Sequence, residues 1–274
     1  MNARALIARK RSNPLLRSIA LLCRKYLRAY DHQFNWDIDS NGERFILEAV
    51  MAEAPGVVFD VGANVGTYAL MSAAIPSVER VHAFEISPPT FKELEKNCAG
   101  QPKILLNPFG LSDEDKSVEI YHTVGSSDRT SLHAIEHGYK NESIATAVRS
   151  GDSYLATSGV QRVSFLKIDV EGNDFSTLRG FERAFKERRI SGVQFEHGEP
   201  SVEARTFLRD IVRFLAQFDF KCFQLYPETL EPVDEYGYRM EDFRGRNFVA
   251  LQPSLVQKLS RLVKASNEAP EAHP

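Results

Sequence analysis

The chain has 274 residues, 43% of them hydrophobic and 26% charged, with a formal net charge of -3 at pH 7. That composition excludes a disordered or fibrous chain and leaves room for one sizeable core. Three scattered cysteines (Cys23, Cys98 and Cys222) form no CxxC pair, which argues against a disulfide framework and for a reducing, cytoplasmic compartment.

Charge is unevenly placed. Residues 1–30 carry Arg4, Arg9, Lys10, Arg11, Arg17, Arg24, Lys25 and Arg28 and no Asp or Glu, so the remainder is acidic. An acidic body argues against DNA or another long nucleic acid as partner, while the basic arm suits an anionic surface. The stretch "LLRSIALLC" (15–23) is too short to span a membrane, is interrupted by Arg17, and lacks the apolar core of a signal peptide. At helical spacing Leu15, Ile19, Leu22 and Tyr26 share a face. The arm therefore reads either as a peripheral membrane helix or as one that packs on the body or frays.

The spacing next predicts a helix in "DIDSNGERFILEAV", capped by Ser40 or Asn41, with Phe45, Ile46, Ala49 and Val50 inward. "GVVFDV" (56–61) reads as a strand buried on both faces, followed by a Gly-rich turn and a helix that ends before Pro76. "RVHAFEI" is a second strand. Ser87, Pro88 and Pro89 open a helix with Phe91, Leu94 and Cys98 on one face. "KILLNPF" is a third strand, and "SVEIYHT" an edge or hairpin strand. Residues 123–145, with Ser126, Ser127, Asp128, Arg129, Thr130 and Ser131, read as a polar loop or lid. A strand near 145–150 and a short helix from Asp152 follow. "VSFLKIDV" and "ISGVQFE" are strands. "DFSTLRGFERAFKER" and "VEARTFLRDIVRFLAQF" are amphipathic helices, buried through Phe175, Leu178, Phe181 and Phe185, and through Phe207, Leu208, Ile211, Leu215 and Phe218. "FKCFQLY" and "NFVALQ" close the set.

Alternating strands and helices imply an α/β, Rossmann-like fold: a mostly parallel, seven-stranded sheet with an antiparallel edge and helices on both faces. The expected organisation is a basic arm (1–30), one catalytic domain (31–253) and a polar tail (254–274).

The turn "DVGANVG" places Asp60, Gly62, Asn64 and Gly66 between the first strand and its helix, where open α/β sheets bind ligands. A dinucleotide site would read GxGxxG; here an acid stands in the approach, which suits a ligand with a cationic or donor-rich end. Glu85 ends the second strand, where a carboxylate can accept ribose hydroxyls.

Together, "FDVGANVGTYAL", "VHAFEISPPTFKELEKN", "GLSDEDKSVEIY", "FLKIDVEGNDFSTLRGF" and "NFVALQ" resemble the FkbM-type methyltransferases over roughly residues 38–252. The resemblance implies a class I fold and S-adenosyl-L-methionine as cofactor. It implies that Asp60, Gly62, Asn64 and Gly66 hold the methionine part, that Glu85 holds the ribose, and that the loop after the third strand, here Gly110, Leu111 and Ser112, flanks the adenine. Ile86 departs from the proline common at its position. The family acts mainly on hydroxyls of sugars, glycolipids and natural products, so a small-molecule or glycan acceptor is expected.

In the strand "LKIDVEGND", Lys167, Asp169 and Glu171 are expected to share a face. Ions on a central parallel strand cost roughly several kcal/mol each if unpaired. They either pair structurally or serve catalysis. In the catalytic reading Asp169 takes the acceptor's proton and Lys167 stabilises the oxyanion or sets the charge of the base. Glu196 or His197, in "FEHGE", is the rival base. Asp169, Glu171, Asp174, Glu196 and His197 could also gather on Mg or Ca, but scattered carboxylates carry no ligand spacing, and no metal is expected. Two rival functions stay open: a ribose O-methyltransferase acting on RNA, and a non-catalytic module that binds the same cofactor. The DNA amino-methyltransferase turn is absent; "NPFG" at 107–110 has one proline and follows the third strand.

Overall fold

The computed structural model describes residues 3–123, 130–131, 141–233 and 236–264. Twelve strands run in chain order among these residues: β1 Gly56–Val61, β2 Val78–Phe84, β3 Ile104–Asn107, β4 Gly110–Ser112, β5 Lys116–Thr123, β6 Thr130–Ser131, β7 Asn141–Ser150, β8 Val163–Ile168, β9 Ile190–His197, β10 Lys221–Tyr226, β11 Thr229–Pro232 and β12 Arg246–Leu251. The helices are α1 Ala3–Arg9, α2 Pro14–Tyr30, α3 Glu43–Glu53, α4 Thr67–Ala74, α5 Pro88–Asn97, α6 Gly151–Thr157, α7 Asp174–Arg179, α8 Glu182–Lys186, α9 Pro200–Glu203, α10 Leu208–Ala216 and α11 Pro253–Lys258.

The main sheet has the order β11-β10-β12-β9-β8-β1-β2-β3. The five strands β3, β2, β1, β8 and β9 are parallel, and β12, β10 and β11 close the sheet antiparallel. The mostly parallel sheet with an antiparallel edge is as expected, with β11 as an eighth strand beyond the expected seven. Successive strands run outward from β1 on one side and from β8 on the other. The switch in strand order, where such sheets open a crevice at their carboxyl ends, therefore falls between β1 and β8.

Alternation along the strands builds two apolar layers. Val58, Phe165 and Val249 face the layer of α3, α4, α5 and α11. Phe59, Leu166, Phe195 and Phe248 face the layer of α6, α7, α8 and α10. A second sheet, β4-β7-β5-β6, stands beside the first; β5 and β7 pair antiparallel from Lys116↔Val148 to Thr123↔Asn141.

Several expectations change in detail. The polar segment expected as loop across 123–145 is strand where it is described, at Thr130–Ser131 and from Asn141 onward. Ser126, Ser127, Asp128 and Arg129 lie outside the described residues. The single helix expected over 174–188 breaks at Gly180, and that over 202–218 breaks where Arg205 takes φ +54°. Phe207, expected inside, caps α10 and is 44% exposed. The chain also stays packed past residue 253. Leu255 and Leu259 are buried beside α3, and the Lys264 amide donates to the Leu230 carbonyl, because the apolar spacing of "SLVQKL" continues into what reads as polar tail.

Candidate active site

Register aligns the site. Asp60 on β1 pairs with Lys167 on β8, which pairs with Gln194 on β9, so three polar side chains form one row across the switch point. They point into the α3/α4 layer among apolar neighbours, and Asp60 is fully buried. The Lys167 Nζ lies 3.1 Å from Asp169 Oδ2 and 3.7 Å from Asp60 Oδ1. Tyr68 on α4 lays its ring under the ammonium, 5.3 Å to centroid. Glu43, in the first turn of α3, accepts a 2.6 Å hydrogen bond from Gln194 Nε2 and closes over the row.

The ammonium is unequally shared. Burial works against the Lys167 charge, but Asp169, Asp60 and Glu43 more than offset it and hold the group above the ordinary lysine range. Asp60 gains less. Burial lifts its carboxyl to about 6 despite Lys167, because the longer ion pair relieves it only in part. Among the described residues neither Asp60 carboxylate oxygen receives a hydrogen bond, and the Tyr68 hydroxyl is likewise unpaired. A buried carboxylate without a donor is expensive unless a ligand supplies one.

The turn after β1 is shaped for close approach. Gly62 has φ +85°, and a Cβ there would overlap the Asp169 carbonyl oxygen, so the turn packs directly on the end of β8. Asn64 (φ +48°) and Gly66 (φ +95°) complete the left-handed path into α4. Glu85 fixes this turn. Its Oε2 accepts from the Asn64 amide at 3.0 Å and its Oε1 from the Ser87 amide at 2.8 Å, while burial lifts its pKa to about 6. Gly110, Leu111 and Ser112 form strand β4 instead of the expected loop, tied down where the Thr177 hydroxyl donates to the Leu111 carbonyl at 2.8 Å. Gly110 nonetheless stays against Ile86, next to Glu85.

Beyond Lys167 the alternation fails. The strand ends at Ile168, and Glu171 sits in a turn with φ +51°, so it does not share a strand face with Lys167 and Asp169. Glu196 lies on the same side of β9 as Gln194. Burial, then the charges of Asp169, Glu171 and Asp174, raise its pKa well above the carboxylate range. His197 points to the opposite face, where its Nε2 meets Glu241 Oε2 at 3.0 Å; burial keeps the ring neutral, so Nε2–H donates. Glu241 also accepts from the Leu208 and Arg209 amides. His197 thus anchors the start of α10 and stands away from Asp169. Among the described residues no group of His, Cys, Asp and Glu is placed to hold a metal.

Sequence reasoning missed Glu43, Tyr68 and Gln194. Gln194 had a signal, being an amide set between Val193 and Phe195 in the expected strand "ISGVQFE". Glu43 and Tyr68 had none, because only tertiary packing brings α3 and α4 over the row.

Raised carboxyl pKa values mean that the native state binds protons more tightly than the unfolded chain, so this stability is lost as pH rises through the native values. Asp174, lifted to about 7 mainly by burial, dominates near neutrality, and Glu196 is shifted in the same direction. His82 and His197, held below 6.5 by burial, oppose the trend only in more acidic solution. The ligand-free protein should therefore lose thermal stability between about pH 6.5 and pH 8. Calorimetric melting across that range checks the slope, and Asp174→Asn should flatten it.

A sequence profile described as "Methyltransferase FkbM domain" matches residues 60–239. The hexuronic acid methyltransferase AglP of Haloferax volcanii is 27% identical over 167 residues, covering 60% of this chain and 66% of AglP. The 31-O-demethyl-FK506 methyltransferase FkbM of Streptomyces tacrolimicus is 28% identical over 159 residues, covering 47% of this chain and 61% of FkbM. The match thus spans less than two thirds of each relative's length. Among solved structures, an FkbM methyltransferase from Methylobacillus flagellatus superposes with a TM-score of 0.47 at 15% identity, covering 72% of this chain and 44% of that one. On the profile match, which takes in the Asp60 turn and the Lys167–Asp169 strand end, the chain belongs to the FkbM methyltransferase family.

Proposed function

We propose that the chain is an S-adenosylmethionine-dependent O-methyltransferase acting on a hydroxyl of a small-molecule or glycan acceptor. The observation that carries this reading is the buried Asp60 carboxylate at the switch point. Among the described residues it receives no hydrogen bond, and it lies beside a lysine committed mainly to Asp169. An anion so placed fits a cationic, donor-bearing ligand, and a pyrophosphate would be repelled there. When bound, S-adenosylmethionine supplies an electrophilic methyl group on a sulfonium cation.

Asp60 and the turn through Gly62, Asn64 and Gly66 would hold the methionine portion. Glu85 would accept from ribose hydroxyls, and Gly110, Leu111 and Ser112 would flank the adenine. Asp169 sits at the end of β8 with its side chain 37% exposed, within reach of an acceptor. It would take the hydroxyl proton as the oxygen–carbon bond forms, with the Lys167 ammonium holding its carboxylate in place from 3.1 Å. Glu196, whose pKa is pushed up by burial and by the neighbouring acids, would donate a hydrogen bond when protonated and so position the acceptor. The names of AglP and FkbM, a hexuronic acid methyltransferase and a 31-O-demethyl-FK506 methyltransferase, support an oxygen-rich acceptor. Peripheral membrane contact through the basic arm is compatible with a glycolipid acceptor.

The test follows labelled methyl from S-adenosylmethionine into a cell extract, with mass spectrometry of the product. A new methyl ether on a sugar or natural product is the expected result. Label confined to RNA ribose would replace this reading, and absence of label from every fraction would remove it.

A further inference from the structure

Among the described residues nothing covers α2. None of its 17 residues is buried. Leu15, Ile19, Leu22, Tyr26 and Tyr30 recur at three- and four-residue spacing along one side, with Leu16, Cys23 and Leu27 beside them; Arg17, Arg24, Lys25 and Arg28 lie on the other. Leu15 and Leu22 are each 69% exposed. No described helix is long and apolar enough to cross a membrane. An apolar stripe backed by unopposed cations matches the boundary between hydrocarbon and anionic headgroups. Pairing with a second copy would instead bring two acid-free, basic arms together against their repulsion.

The root of the arm is fixed beside the candidate site. Gln33 donates to Asp242 Oδ2 at 3.2 Å and accepts from Arg244 Nη1 at 3.0 Å, and the Phe34 amide donates to the Arg244 carbonyl at 3.1 Å. Gly245 follows. A Cβ placed there would lie 2.7 Å from Glu196 Oε1 and 3.9 Å from the Phe34 ring, so the root and the acceptor end of the site flank one residue. Among the described residues of the body, the exposed large apolar side chains are Trp36, Leu105, Val202, Phe207 and Tyr238. All but Leu105 sit near this rim, close to the arm root or on the segments joining the end of β9 and the start of β12, where His197 pairs with Arg246. Apolar and aromatic residues on a rim next to an interfacial helix are placed to meet headgroups.

We propose that α1 and α2 lie on an anionic membrane surface and hold the strand-end rim against it, so that the methyl acceptor is a membrane-borne amphiphile with a hydroxylated headgroup. The membrane contact stands by itself; the acceptor class rests on the methyl-transfer reading above.

The test sediments the full chain with phosphatidylcholine vesicles, with and without phosphatidylglycerol. Capture by the anionic vesicles is expected, weakened by salt. Ile19→Glu with Leu22→Glu, or Arg17→Glu with Arg24→Glu, should each reduce it by roughly tenfold or more. Titration with S-adenosylmethionine should give the same heat in these variants, which shows that the body is intact. A chain that stays in the supernatant with anionic vesicles at low salt overturns the proposal. So does an arm-dependent dimer, seen by sedimentation velocity, that vesicles do not capture. Labelled methyl should appear in the lipid extract; label only in water-soluble product overturns the acceptor class while leaving methyl transfer intact. Vesicle capture with no label anywhere sinks the methyl-transfer reading, and the acceptor class with it, but not the membrane contact.

Discussion

Replacing Asp60 with Asn is expected to weaken S-adenosylmethionine binding by roughly a hundredfold or more while making the ligand-free protein more stable at pH 7.5. Both effects follow from one asymmetry. Asp60 is buried, receives no hydrogen bond among the described residues, and lies 3.7 Å from a lysine whose nearer partner is Asp169. Its pKa of about 6 already includes the attraction of Lys167. Ionising it above that pH therefore destabilises the native state, by about 1–3 kcal/mol on the usual conversion. Asn keeps the shape and removes that burden, but it also removes the charge that a cationic ligand would meet. Thermal melting and calorimetric titration of the same two proteins measure both halves. A variant that loses stability and keeps affinity would make Asp60 a purely structural partner of Lys167.

Asp169→Ala is expected to lower kcat by about 10²–10⁴ with little change in cofactor affinity. Lys167→Met separates the base from its support. Taking away a buried cation leaves Asp60 and Asp169 facing each other with Glu43 nearby, and about 3–5 kcal/mol of stability should go with it. The two variants thus divide chemistry from folding. Turnover at the normal rate by the Asp169 variant would move the base elsewhere, and Glu196 is then the carboxylate on the correct side of β9. Glu196→Gln separates these cases: as a positioning group it should raise KM more than it lowers kcat, and as the base it should do the reverse. His197 is not an equal rival in this geometry, because its ring is engaged with Glu241 on the other face.

Much of this arrangement is legible in the sequence because it is local. Short apolar runs gave β1, β2, β8 and β9, and the acids at their carboxyl ends marked the candidate crevice. Alternation correctly put Lys167 and Asp169 on one side but was carried too far, since the strand stops at Ile168 and Glu171 turns away. Gly110–Ser112 read as loop because three residues carry no periodicity; only pairing with β7 makes them a strand. The break at Arg205 was hidden by a continuous amphipathic pattern that tertiary packing overrides. Glu43 and Tyr68 were out of reach for a different reason. Their role depends on which helices cover the row Asp60–Lys167–Gln194, and that is decided by contacts distant in sequence.

The most direct test is a calorimetric titration of S-adenosylmethionine into the full chain at pH 6, in two buffers of different ionisation enthalpy. Near that pH Asp60 is about half protonated in the ligand-free protein, and a bound cation favours its ionised form. The account predicts saturable binding accompanied by release of a fraction of a proton. No saturable heat, or binding with no proton released, would contradict it.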